Sequence, residues 1–344
     1  MEKTRVLLTG AAGTVGKEVL AQLCAQASVF DITTFEQDTP AARRALAPFG
    51  ETITSHFGDI TQPAQIARAC ENMQAVIHLA AVIPPAADKN PALAQRVNVD
   101  GTDNLITAIR AASPDAFLIY ASSISVYGDR VNTPHIRVGD ACTPSQGDEY
   151  AATKIAAEVR VRNSGLSWSI FRLTAVMGGH MISPLMFHMP LKTVMEIASP
   201  GDAARAFVNA ISQRRRLSGR IFNLGGGPAC RIRYQDFLER SFRIAGLGAL
   251  DFPGGAFATR NFHCGAYADG DDLEDILHFR QDTLEEYFTG FRRATPGWKS
   301  TLTCLLRRPI KARLLRQSEP WHAWRTKGEL FQRFFCPQTK KAPV

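Results

Sequence analysis

The chain has 344 residues, 45% of them hydrophobic, a formal net charge of +8 and seven cysteines; that is enough for one large domain or two unequal lobes with a sizeable core. No apolar run approaches the roughly 18 residues of a membrane helix, and MEKTRVLLTGAAG at the N-terminus carries no secretory cleavage pattern. The cysteines stand singly, odd in number and without a C-x-x-C, which fits free thiols in a reducing, cytoplasmic setting better than a disulfide framework or a zinc site.

The charge is unevenly spread. Residues 291–344 hold 13 Lys and Arg against Glu319 and Glu329, a net of +11, which leaves −3 on residues 1–290. A nucleic-acid partner for the main body therefore has no electrostatic support.

RVLLTG (5–10) reads as a buried strand, followed by a helix over 16–27. DITTFEQ (31–37) and ITSHFGDI (53–60) are the next strands, with a helix over 63–71 before AVIHLAA (75–81). A long helix is expected over 95–112, strand AFLIYASS at 116–123, a helix over 150–162 and strand SWSIFRL at 167–173. Strands alternating with helices at this spacing predict an α/β fold, a doubly wound parallel sheet covered on both faces. A helix over 201–212 and strand RIFNLGG (220–226) return to that sheet. The expected division is a dinucleotide-binding domain over 1–175 with 202–226 returning to it. Residues 176–201 and 227–293 would form a small substrate lobe over the carboxyl edge of the sheet, and 294–344 a basic, aromatic extension.

TGAAGTVG (9–16) follows the first strand and opens the first helix, with Gly10, Gly13 and Gly16 spaced G-x-x-G-x-x-G around Thr14 and Val15. Glycines there permit a tight turn and close backbone approach to a pyrophosphate, which the helix N-terminus then faces with free N–H groups. Glu36 ends the second strand twenty residues beyond Gly16. A carboxylate there accepts from both adenine-ribose hydroxyls and repels a 2′-phosphate, favouring NAD over NADP. Arg43 and Arg44 leave NADP as an alternative, and Asp38 competes with Glu36 for the ribose.

The order TGAAGTVG, GDI (58–60), HLAA (78–81), NVDGT (98–102), YASSISVYG (120–128), YAATK (150–154) and FRLTAVMGG (171–179) resembles the extended short-chain dehydrogenase/reductase family over roughly residues 4–293. That family includes nucleotide-sugar epimerases and dehydratases and hydroxysteroid-type dehydrogenases. The resemblance implies that Asp59 and Ile60 flank the adenine, and that Leu79, Ala80 and Ala81 let the cofactor lie against the backbone. Asn98 would help to position the active-site helix and counts, with Tyr150 and Lys154, among the cofactor-binding residues. His78, inside an apolar strand, reads as structural.

In such a family Tyr150 is the acid/base and Lys154, one helical turn on, stabilises the phenolate, lowers the tyrosine pKa and binds the nicotinamide ribose. Ser123 would hold the substrate oxygen, with Ser122 as runner-up. Family dehydratases carry an Asp–Glu pair just after this residue; Ile124 and Ser125 stand there instead, so epimerase or dehydrogenase chemistry on a sugar or nucleotide sugar is expected and dehydratase chemistry is not. Only 23 residues separate Gly178 from Asp202, including the apolar MISPLMFHMP. That short lid suits a smaller or less polar substrate, such as a steroid-like or lipid alcohol, or simply packs beneath the lobe. Leu173 stands where relatives often carry proline, so cofactor contacts over 173–176 are not carried over. A non-catalytic NAD-binding scaffold is a third reading, disfavoured by the intact Ser–Tyr–Lys set.

The family often dimerises through the helices expected here at 95–112 and 150–162, so a homodimer is anticipated. In the extension, Trp321, Trp324, Phe331, Phe334 and Phe335 lie among Arg and Lys. The preferred reading is a pair of short helices docked on the body; peripheral contact with an anionic membrane surface comes second.

Overall fold

Seven runs rich in β-branched and aliphatic residues pair into one sheet in the computed structural model, which describes residues 2–179 and 182–336. They are β1 (Thr4–Thr9), β2 (Phe30–Glu36), β3 (Ile53–Phe57), β4 (Ala75–His78), β5 (Phe117–Ser123), β6 (Ser167–Leu173) and β7 (Arg220–Leu224). The order is β7-β6-β5-β4-β1-β2-β3, every pairing parallel. The winding reverses between β1 and β4, and such a switch point opens a crevice at the carboxyl ends of the strands.

Both faces are covered by α1 (Thr14–Cys24), α2 (Gly101–Ala112), α3 (Glu149–Arg162) and α4 (Pro200–Ala210). Val6 and Leu8 point into a core with Val19, Leu20 and Phe207 of α1 and α4. Leu7, between them, joins Leu105, Ile109 and Val161 of α2 and α3 on the opposite face. The expected doubly wound sheet is what the chain forms.

Several boundaries differ from the sequence reading. The strand expected at 53–60 ends at Phe57 and that at 75–81 ends at His78, because Gly58–Ile60 and Leu79–Ala81 leave the ladder and line the crevice. The helix expected over 95–112 is three pieces: Pro91–Gln95, a π-helical turn Arg96–Asp100, and α2. π turns recur at functional sites, and this one carries Asn98.

Beyond the carboxyl edge, Arg231–Arg233, Val194–Ala198 and Ala175–Val176 form a three-stranded sheet. Met186, Phe187 and Met189 of the anticipated lid are buried there with Phe237, Phe242 and Phe288; His180 and Met181 lie outside the described residues. Among its described residues the extension holds four helices, Gly297–Leu305, Arg307–Arg316, Glu319–Thr326 and α5 (Glu329–Phe335), three of them within 307–335, where a pair was expected. It docks on the preceding loop, where Ser318 Oγ donates to Ala256 O at 3.0 Å and Thr259 N to Phe334 O at 3.0 Å. Phe334 is buried with Ala258 and Ala323, while Trp324, Phe331 and Phe335 pack on one another. Residues 337–344 of the extension lie outside the described residues. Among those described, no helix is long and apolar enough to cross a membrane.

Candidate active site

The glycine turn between β1 and α1 is set by contact. Gly10 has φ +77°, and a Cβ on it would stand 2.6 Å from Ala80 N. A Cβ on Gly16 would stand 2.0 Å from Gly10 O. Neither position accepts a side chain, so backbone meets backbone and the N-terminal turn of α1 faces the crevice. Two adjoining clefts open there, of about 250 and 340 Å³, and both are lined by Gly10, Gly13, Leu79 and Ala81.

The smaller cleft brings Glu36, Asp59, Ile60 and Ala80 together, as expected, and adds Phe35 and Gly58, which the sequence reading missed. Glu36 accepts from Ala12 N at 2.8 Å and Gln37 N at 3.1 Å; a carboxylate has about four acceptor sites, so capacity remains for a diol. Asp38 is outside this wall. It pairs with Arg43 at 2.6 Å in an exposed bridge, and the Arg43 guanidinium lies over the Phe57 ring. Asp59 caps its own turn through Thr61 N at 2.9 Å.

Asn98 is buried and lines neither cleft, so it is removed from the cofactor-wall residues. Its amide accepts from Val82 N at 2.7 Å and donates to Val82 O at 2.9 Å and Thr153 Oγ1 at 3.0 Å, which ties the loop after β4 to α3. His78 is structural, as expected: it lies between Thr9 Oγ1 at 2.7 Å and Thr102 Oγ1 at 3.0 Å, and burial, with Lys154 adding to it, pulls its pKa down to about 3.

The larger cleft gathers Thr14, Val15, Gly16, Ser123, Tyr150 and Lys154, with Thr174 and Val176 closing one side. Asp148 starts α3 by accepting from Ala151 N at 2.9 Å, the usual device for satisfying a helix's first donors. Tyr150 in the first turn and Lys154 one turn later reach the carboxyl end of β5. The Ser123 hydroxyl shares this cleft with the Tyr150 phenol and works to lower its pKa.

One expectation is overturned. Burial raises the Tyr150 pKa, and Asp148 adds to the rise against the lowering from Ser123. Lys154 does not reverse this, because it donates to Ala121 O at 2.8 Å and Tyr120 Oη at 3.2 Å, with Nζ 5.9 Å from the Tyr150 ring centre. Burial in turn brings Lys154 down to about 7, although Glu158 works the other way. At neutral pH the phenol holds its proton, while burial disfavours the charge on the lysine. An ammonium has three donors; two are used here, leaving one.

Ser122, the runner-up, donates to Glu158 at 2.5 Å. Glu158 clasps Arg172 in two bonds, Nε–Oε1 at 2.9 Å and Nη2–Oε2 at 2.6 Å. The chain continues through Tyr127 and Asn223 to Asp269. The sequence reading missed this network, yet signals existed: Glu158 is one turn beyond Lys154, and a charge at 172 inside an apolar strand demands a buried partner.

The residues present fit a dinucleotide: a side-chain-free turn at a helix N-terminus, a carboxylate at the end of β2, and a continuous double cleft. The sequence profile of the NAD dependent epimerase/dehydratase family matches residues 6–225. A dTDP-glucose 4,6-dehydratase of Mycolicibacterium smegmatis is 32% identical over 162 residues, 46% of this chain and 48% of that protein; the chain thus spans about half that relative's length. A D-erythronate dehydrogenase of Cupriavidus necator is 26% identical over 279 residues, 72% of this chain and 83% of that one. Among solved structures, the NAD complex of a dTDP-glucose 4,6-dehydratase from Bacillus anthracis superposes with TM-score 0.69 at 16% identity, covering 84% of this chain and 96% of that one, a likeness of fold. These relatives give no support to setting dehydratases aside. With a profile match over more than half its length and a glycine turn, sheet order and paired clefts to go with it, the chain belongs to the NAD dependent epimerase/dehydratase family.

Proposed function

We propose that the protein is an NAD-dependent oxidoreductase or epimerase acting on a secondary alcohol, or the matching ketone, of a sugar-type substrate. One observation carries the reading: Ser123, Tyr150 and Lys154 share a cleft with the glycine turn. Glu36 and Ala80 would hold the adenosine half, and Thr14, Val15 and the N-terminal turn of α1 the pyrophosphate. Bound nicotinamide would supply or accept the hydride. Tyr150, protonated at neutral pH, gives its proton to the oxygen that gains charge and recovers it in reverse. Ser123 orients that oxygen, and the spare Lys154 donor draws the ribose toward the tyrosine. Glu36 supports NAD over NADP, since Arg43 is engaged by Asp38.

A second reading, an apolar alcohol substrate, draws on the cavity of about 210 Å³ lined by Met177, Met186, Tyr234 and Phe237. The test is a screen of sugars, sugar nucleotides and hydrophobic alcohols with NAD and NADP, on the protein and on Tyr150→Phe. Loss of the phenol is expected to cut turnover roughly a hundred- to ten-thousandfold with NAD affinity nearly unchanged; undiminished turnover would remove the acid–base role. Formation of an unsaturated or deoxy product would reassign the reaction to elimination. NAD released on denaturing the purified protein would favour an epimerase, an empty site a dehydrogenase.

A further inference from the structure

The extension does more than dock. A cavity of about 170 Å³ lies between it and the body, lined by Pro84, Asp88, Ser145, Asp148, His263 and Arg333 among others. Pro84 also lines the cleft of Tyr150, and Asp148 is two residues from that tyrosine, so the cavity opens beside the reacting end of the site. Its wall collects unsatisfied polar atoms. Ser145 Oγ and Arg333 Nε are buried without a hydrogen bond among the described residues, and Ser145 is 6% exposed. Asp148 Oδ2 stands 2.7 Å from His263 Nδ1, an ion pair when the imidazole is protonated. Arg333 has no carboxylate partner among the described residues; its guanidinium lies against the Phe334 ring, 5.4 Å from the centre. Buried polar groups are normally paired, because leaving one unpaired costs the full desolvation of that group.

We propose that this cavity is the distal substrate subsite, and that Arg333, supplied by α5, anchors the carboxylate of a short-chain sugar acid. The proposal rests on the oxidoreductase reading above and names its substrate class. One guanidinium matches one carboxylate in charge and two-point geometry, and beside Asp88 and Asp148 the lining, among the described residues, holds no second guanidinium or ammonium to offset a phosphate dianion. Those same carboxylates accept from hydroxyl groups, and Ser145 can donate or accept. The volume lies below the roughly 300 Å³ at which ordinary ligand pockets begin, which suits a short acid and not a nucleotide.

The probes are D-erythronate, named by the relative matched over 72% of this chain, D-gluconate, and the neutral polyol erythritol. Calorimetric titration of the NAD-saturated full chain should show an acid binding about tenfold or more tighter than erythritol. Arg333→Met should weaken that acid about 10- to 100-fold, raise KM while sparing kcat, and leave erythritol unchanged. Arg333→Lys should recover part of the loss, and Ser145→Ala should weaken the acid separately if Arg333→Met does not fold. Failure of both acids to bind, binding indifferent to Arg333, or binding of UDP-glucose alone would overturn the subsite. Arg333-dependent binding of an acid without nicotinamide reduction would leave the subsite standing and remove the oxidoreductase reading. Turnover that needs Tyr150 and ignores Arg333 would do the reverse.

Discussion

Lys154 and Glu158 lie one turn apart on α3, both almost wholly buried, and they are treated in opposite ways. Glu158 is held on both oxygens: Ser122 and two N–H groups along one edge of the Arg172 guanidinium bond to it. Lys154 bonds only a carbonyl and a phenol, and burial brings it down to about 7. For Arg172, burial pulls the pKa down, and Glu158 more than reverses the fall. The layer with the fuller partner set holds geometry, while Lys154 above it keeps one donor in reserve. A buried charge with a full partner set is part of the frame; one without it is available to a ligand.

Three measurements would break or sharpen that contrast. Glu158→Gln strands a buried guanidinium, and losing one member of such a pair is expected to destabilise by about 3–5 kcal/mol. Chemical denaturation checks it, and a loss below about 1 kcal/mol would deny the lower layer its framing role. Next comes pH. Lys154 binds its proton less tightly when folded, at about 7 against 10.5, so the unfolded chain holds more protons between those values. Stability should therefore rise with pH across that window, by up to about 1.4 kcal/mol per unit, and the burial cost should be fully present below about pH 7. Lys154→Met should flatten the slope in urea titrations at about pH 7 and 9; parallel slopes would assign it to another group. Smallest is Tyr127→Phe, which removes the hydroxyl between Arg172 Nη1 at 2.8 Å and Asn223 Oδ1 at 2.7 Å. The expected loss is about 1–2 kcal/mol, visible as a lower Tm, with NAD affinity unchanged.

Much of this was legible in the chain. Strand runs at 5–10 and 116–123 were readable because a strand covered on both faces is largely apolar, and DITTFEQ (31–37) because Ile32, Thr33 and Thr34 are β-branched. The glycine spacing placed the dinucleotide turn, and the Tyr–Lys spacing placed two side chains on one helix face. Less legible was where strands stop: Leu79–Ala81 are as apolar as Val76 and Ile77, yet they leave the ladder to line the crevice. Asn98 was found, but not its wall; only the π turn shows that it faces Val82 and Thr153. The lowered tyrosine pKa failed for a similar reason. Spacing sets which residues are neighbours, whereas desolvation and competing acceptors, here Ala121 and Tyr120, decide a pKa.

The aromatic residues of the extension make the same point. Composition marked them as a basic, ring-rich segment, and Phe334 proved to be a docking residue while Arg333 beside it faces a cavity. Local rules carried the sheet, its winding and the glycine turn, because periodicity and glycine sterics act between residues close in sequence. Burial, pairing and the walls of the clefts were decided by tertiary structure, since those depend on groups tens to hundreds of residues apart meeting in one low-dielectric space.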